Sequence, residues 1–90
     1  MARVQIYLTS HCGYCRAALR LLQDKGVAGA DLDVVRVDQD PARRAEMRAR
    51  SGRYTVPQIW IGERHIGGFD ELSDLEHAGE LDELLATEKT

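Results

Sequence analysis

Val4-Gln5-Ile6-Tyr7-Leu8-Thr9-Ser10-His11-Cys12-Gly13-Tyr14-Cys15-Arg16-Ala17-Ala18-Leu19-Arg20-Leu21-Leu22 is the stretch that decides the fold. Its first five residues are mostly apolar and β-favouring with only weak alternation, the pattern of a strand buried on both faces. From Tyr14 the period changes. Cys15, Ala18, Leu19 and Leu22 recur at spacings of three and four, which is one apolar stripe of a helix, and Gly26 after Lys25 supplies its stop. The chain's only two cysteines therefore stand where a strand hands over to a helix. The loop they could close is too small to staple a fold, so their use is chemical: redox work or half of a metal site.

Outward from that stretch, Val27 to Leu32 reads as a loop and Asp33-Val34-Val35-Arg36-Val37-Asp38 as a second strand. Asp40 is an N-cap and Pro41 a first-turn proline, predicting a second helix to about Arg50 that ends against Gly52. Strand, helix, strand at this spacing is a right-handed crossover that sets the first two strands parallel. Gln58-Ile59-Trp60-Ile61 and Arg64-His65-Ile66 flank Gly62-Glu63, a two-residue hairpin that makes the last two strands antiparallel. Asp70 is expected to cap a helix carrying Leu72 and Leu75, and Gly79 separates a final helical turn or two with Leu81, Leu84 and Leu85. The order predicts an α/β chain of the thioredoxin-like fold, a four-stranded mixed sheet with helices on both faces, as one domain over residues 1–90.

Bulk properties narrow the function. Ninety residues with a 43% hydrophobic share fit one core and exclude a disordered chain. The twelve basic residues are outweighed by fifteen acids, for a net charge of −3, so nucleic acid is not an expected partner. No apolar run approaches the roughly 20 residues that cross a bilayer, and Met1-Ala2-Arg3-Val4 leads straight into a strand. A cytoplasmic monomer without membrane attachment is the expectation.

At a helix start, unpaired N–H groups and the positive end of the helix dipole favour a thiolate at Cys12. Cys15 lies one turn on, among Ala18, Leu19 and Leu22, and is expected to be partly buried and less reactive. The acidity of the first sulfur speeds its departure from a mixed disulfide more than its attack, since nucleophilicity falls as acidity rises. Half a zinc site has the same Cys-x-x-Cys spacing, but His11, His65 and His77 do not form a paired ligand spacing.

Three further features narrow the reading: Tyr14 between the cysteines, Thr55-Val56-Pro57 before the third strand, and Gly67-Gly68-Phe69-Asp70 before the third helix. Together with Cys12-Gly13-Tyr14-Cys15 they resemble the glutaredoxin family, the small bacterial dithiol members above all, over residues 4 to 86. The resemblance implies a glutathione-disulfide oxidoreductase, with Cys12 as nucleophile and Cys15 as resolving thiol, acting on protein disulfides and protein-glutathione mixed disulfides. It implies a cis bond before Pro57, and glutathione held by Tyr14, Thr55, Val56 and Pro57 with its sulfur next to Cys12. Gly68, Phe69 and Asp70 would take its γ-glutamyl end through helix-start N–H groups and the Asp70 carboxylate, and Arg53 its glycyl carboxylate.

The chain departs from the family's pattern in three places. Thr9 stands where many members have lysine, Gly13 replaces a common proline, and the Val27-to-Leu32 connection is longer and less aromatic. His11 and Arg16 are candidate substitutes for the missing cation. Gly13 raises an alternative that the resemblance also offers: two chains sharing a [2Fe-2S] cluster ligated by each Cys12 and two glutathiones. A relative reduced by thioredoxin reductase would carry a basic residue and proline where this chain has Asp70 and Glu71.

Overall fold

The computed structural model describes residues 2–88. Met1, Lys89 and Thr90, the ends of the expected domain 1–90, lie outside the described residues. Four strands, β1 (Val4–Leu8), β2 (Leu32–Arg36), β3 (Gln58–Ile61) and β4 (Arg64–Gly67), form one sheet in the order β2-β1-β3-β4. β1 runs parallel to β2 and antiparallel to β3, and β3 is antiparallel to β4. The helices are α1 (Gly13–Asp24), α2 (Pro41–Ser51), α3 (Phe69–His77) and α4 (Leu81–Thr87). This is the thioredoxin-like mixed sheet expected from the element order.

Strand alternation sorts the core onto two faces. Val4, Ile6 and Leu8 of β1 join Ile59 and Ile61 of β3 under Cys15, Ala18 and Leu22 of α1, Leu72 of α3, and Leu81 and Leu85 of α4. On the other face Tyr7 and Trp60 meet Val35, Val37 and Met47, so α2 covers that side. Met47 is the one buried residue of α2, which is why an Ala- and Arg-rich helix suffices there. Its remaining cover is polar. Arg50 donates to Gln5 Oε1 at 2.5 Å and to the Tyr7 hydroxyl at 2.7 Å, and its guanidinium lies 4.1 Å from the Trp60 ring centroid. The Tyr7 hydroxyl in turn donates to Glu46.

The ends of α2 follow the sequence reading. The Asp40 carboxylate accepts from the N–H groups of Ala42 and Arg43, and Gly52, at φ +70°, closes the helix in the left-handed region. Elsewhere three expectations need correction. The segment after Val27 is not a plain loop, because Gly29–Asp31 form a 3₁₀ turn. The second strand begins one residue early and ends at Arg36, leaving Asp38 free to accept from Ser10 N–H at 3.1 Å. Asp70 is not the cap of α3. That place belongs to Gly68, and Asp70 sits two residues into the helix.

Candidate functional site

Cys12 is itself the N-cap of α1. Its backbone is extended, and its Sγ accepts from the Cys15 N–H at 3.2 Å, where a serine or aspartate oxygen would ordinarily sit. The position expected from the strand-to-helix handover is thus built by the cap: Cys12 is half-buried and its sulfur takes up a donor of the first turn that would otherwise be unpaired. Cys15 is 1% exposed and packed with Ala18 and Leu22. Burial first, then the hydrogen bond to Cys12, push its thiol up to about 12, and the nearby Asp38 charge adds to the rise. No disulfide joins the two cysteines in this structure.

The Val56 carbonyl oxygen lies 4.0 Å from Cys12 Sγ, across from α1, and the Val56–Pro57 bond is cis. Because β3 starts at Gln58, the Val56 backbone lies outside the sheet ladder. The Thr55–Pro57 turn is held from below by a residue the sequence reading passed over. Gln58 is fully buried, and its amide nitrogen donates to the Thr55 carbonyl at 3.1 Å and the Thr55 hydroxyl at 3.2 Å. Its Oε1 is left as the acceptor for His65 Nε2 at 2.8 Å, which places the hydrogen of a neutral His65 on Nε2. His65 stacks on Trp60 with centroids 4.5 Å apart. Burial, and then the positive charge of Arg53, hold its pKa below the usual histidine range.

A groove of about 240 Å³ runs from this turn to the start of α3, lined by Tyr14, Arg53, Thr55, Val56, Pro57, Gly68, Phe69, Asp70 and Glu71. All eight residues expected to hold glutathione line it, and Cys12 stands at its Val56 end. Tyr14 is 65% exposed and approaches Phe69 at a centroid distance of 6.2 Å.

Glu71 was not anticipated. At the third position of α3 it reaches back so that its Oε1 accepts from Gly68 N–H at 2.9 Å and from Arg53 Nη1 at 2.6 Å. The Gly68 amide hydrogen and the Arg53 guanidinium hold the Glu71 carboxyl below its ordinary pKa. Gly68 N–H is therefore already engaged, which corrects the expectation that it is exposed; the N–H groups of Phe69 and Asp70 remain in the first turn. The same contact explains Gly67. At φ +114°, a Cβ there would fall 2.2 Å from Glu71 Oε1. The signal for Glu71 was present in the sequence, an acid three residues after a helix-start glycine. Without knowing that Gly68 is the cap, the spacing could not be counted from the right residue.

Chemically, the arrangement offers one accessible sulfur at a helix start, a second buried behind it, free backbone for an extended peptide, and charges of both signs along one groove. No described helix is long and apolar enough to cross a membrane.

Residues 4–66 match the glutaredoxin family model. The chain is 51% identical over 86 residues to a glutaredoxin of Pseudomonas aeruginosa, spanning 96% of this chain and 99% of that protein. Glutaredoxin 3 of Escherichia coli K12 is 49% identical over 85 residues, 94% of this chain and 99% of that one. Among solved structures, the glutaredoxin of Brucella melitensis superposes with a TM-score of 0.80 at 47% identity, covering 97% and 91% of the two chains. A buckwheat glutaredoxin-glutathione complex superposes with a TM-score of 0.83 at 27% identity, covering 94% and 77%.

Proposed function

The chain belongs to the glutaredoxin family, whose role is thiol-disulfide exchange, and we propose from that premise that it is a glutathione-dependent enzyme reducing protein disulfides and protein-glutathione mixed disulfides. The observation that carries this is the Cys12 sulfur capping α1 beside the Val56 carbonyl, at the end of a groove lined by both an arginine and an aspartate. That groove suits a short peptide with two carboxylates and one ammonium. The relative solved as a glutathione complex supports the same ligand.

The chemistry follows from the two sulfurs. The Cys12 thiolate attacks the glutathione sulfur of a mixed disulfide; the client sulfur leaves as a thiolate and takes a proton from solvent. Glutathione is now joined to Cys12, its cysteinyl backbone against Val56, its γ-glutamyl carboxylate on the Phe69 and Asp70 N–H groups, its ammonium on Asp70 and its glycyl carboxylate at Arg53. A second glutathione thiolate attacks the bound glutathione sulfur, Cys12 departs as a thiolate, and glutathione disulfide is released. With a dithiol client, Cys12 forms the mixed disulfide with the client itself and Cys15 displaces it, leaving a Cys12–Cys15 disulfide that two glutathiones reduce. This chemistry belongs to a reducing, cytoplasmic setting and one chain suffices.

Steady-state reduction of cysteine-glutathione mixed disulfide with glutathione and glutathione reductase tests the reading, with thioredoxin reductase in a parallel arm. Turnover with glutathione alone is expected; turnover only in the thioredoxin reductase arm overturns it. The cluster-bearing alternative would draw a single ligand from each chain, because Cys15 is turned into the core. A colourless monomer after anaerobic reconstitution would remove it.

A further inference from the structure

The net charge of −3 conceals a strong segregation. Residues 41–53 carry five arginines against one acid, whereas residues 70–88 carry eight acids and no lysine or arginine. Three of the five arginines are already paired within the chain. Arg43 pairs with Glu46 at 3.2 Å, Arg50 is spent on Gln5, Tyr7 and Trp60, and Arg53 on Glu71. Arg48 is different. Like the half-buried Arg44 it has no ion pair or side-chain hydrogen bond among the described residues, but it is exposed and lies with its guanidinium 4.8 Å from the Tyr54 ring centroid.

Tyr54 is 74% exposed and immediately precedes the Thr55–Pro57 turn, yet neither it nor Arg48 lines the groove. The pair forms a ridge just outside the space that glutathione would fill. Of the three large apolar side chains that are exposed among the described residues, Tyr14 lines the groove with Val56 and Tyr54 lies two residues before Val56 in the chain. Tyrosine and arginine are the residue types that most often anchor protein interfaces, being large, amphipathic and cheap to order.

We propose that the Arg48–Tyr54 ridge docks the client polypeptide and favours clients with carboxylate side chains beside the target cysteine. This rests on the glutathione reading above, in which the groove is taken by glutathione and the client's own residues must lie outside it. At the start of α3, Asp70 lines the groove beside Glu71, whose charge is paired with Arg53, and the Asp70 carboxylate repels an acidic segment and so turns it toward α2. Charge thereby sets the orientation as well as the choice of client.

The test compares three substrates of the intact protein: cysteine-glutathione, and two glutathionylated peptides of equal length flanked by aspartates or by lysines. At low salt the acidic peptide is expected to have the higher kcat/KM by about fivefold, one exposed ion pair's attraction for it and repulsion of its rival combined. At about 1 M salt, where the screening length falls to about 3 Å, the preference flattens. Arg48→Glu reverses the preference, Arg48→Ala abolishes it, and Tyr54→Ala lowers both peptides, while cysteine-glutathione turnover is unchanged in each. Should Arg48→Glu fail to fold, the wild-type peptide ratio and its salt dependence decide alone. Equal kcat/KM for the two peptides at low salt, with cysteine-glutathione still reduced, overturns the docking inference and leaves the glutathione reading standing. No turnover of cysteine-glutathione removes both.

Discussion

Replacing Cys15 by serine should separate the two routes, and the structure says by how much. The Cys15 thiol is 1% exposed and pushed up to about 12. At pH 7 a thiol of that acidity is ionised to about one part in 10⁵, against roughly 3% for an ordinary cysteine near 8.5, a deficit of about 3,000-fold. Higher basicity returns some of this: over the 3.5 units a slope of about 0.45 makes the rare thiolate about fortyfold more nucleophilic. The net handicap is about 80-fold. It is an upper bound on what the working enzyme meets, because two of its causes, the hydrogen bond to Cys12 and the Cys12 charge, are gone once Cys12 is in a mixed disulfide. Burial and Asp38 remain. A second glutathione attacking from solvent bears neither cost. Cys15→Ser is therefore expected to keep at least about half of the turnover of a glutathionylated peptide while losing tenfold or more of insulin disulfide reduction. The dithiol rate of the wild type should keep rising with pH through neutrality, since burial still holds the Cys15 thiol mostly protonated there. Loss of both activities in Cys15→Ser, or a dithiol rate that levels off near pH 7, refutes the reasoning.

Other expectations concern the groove's supports. Glu71→Gln keeps both hydrogen-bond geometries but removes the charge. Because the folded pKa of Glu71 is depressed, its contribution is present above the unfolded value of about 4.5 and lost as pH falls through the folded one. Urea titrations should show the variant less stable by about 0.5–1 kcal/mol at pH 7, the two proteins converging in acid; a difference that persists at pH 3 would contradict this. Gly67→Ala forces its Cβ onto Glu71 Oε1 at a positive φ and should cost about 2 kcal/mol, somewhat less in a Glu71→Ala background, where the strain of the positive φ remains; strict additivity of the two would argue against the clash. Gln58→Leu strips Thr55 and His65 of their buried partner and should destabilise by about 2–3 kcal/mol while raising the KM for glutathione more than it lowers kcat. An unchanged KM would mean that Gln58 does not position the turn.

What was legible in the sequence divides along one physical line. Local period and turn chemistry announced themselves: the apolar run from Val4 to Leu8, the stripe Cys15-Ala18-Leu19-Leu22, the Asp40-Pro41 start and Gly52 stop of α2, and the Gly62-Glu63 hairpin are each decided within a few residues, and each stands where expected. Thr55-Val56-Pro57 and the Gly67-to-Asp70 turn were legible too, though only through resemblance to a family; nothing in their composition would have brought them to one groove. The sequence was opaque wherever a side chain's role depends on a partner far along the chain. Glu71 meets Arg53 eighteen residues away, and Asp38 meets Ser10 across twenty-eight. Gln58 reads as a strand-starting polar residue until His65 and Thr55 are placed on either side of it.

The misread cap of α3 has the widest consequence. Counting the helix from Asp70 leaves Gly68 N–H as an empty anion site and Arg53 as a free cation. Counting it from Gly68 turns Glu71 into a resident anion that satisfies both. The groove is thus charge-paired before any ligand arrives, so a carboxylate entering it must either displace Glu71 or use the Phe69 and Asp70 N–H groups beside it. At 41% exposure Glu71 is only partly desolvated, and an exposed pair of this kind contributes at most about 1 kcal/mol. Its displacement would weaken binding by no more than about fivefold, so the pair holds Arg53 in place without closing the groove to a peptide carrying two carboxylates.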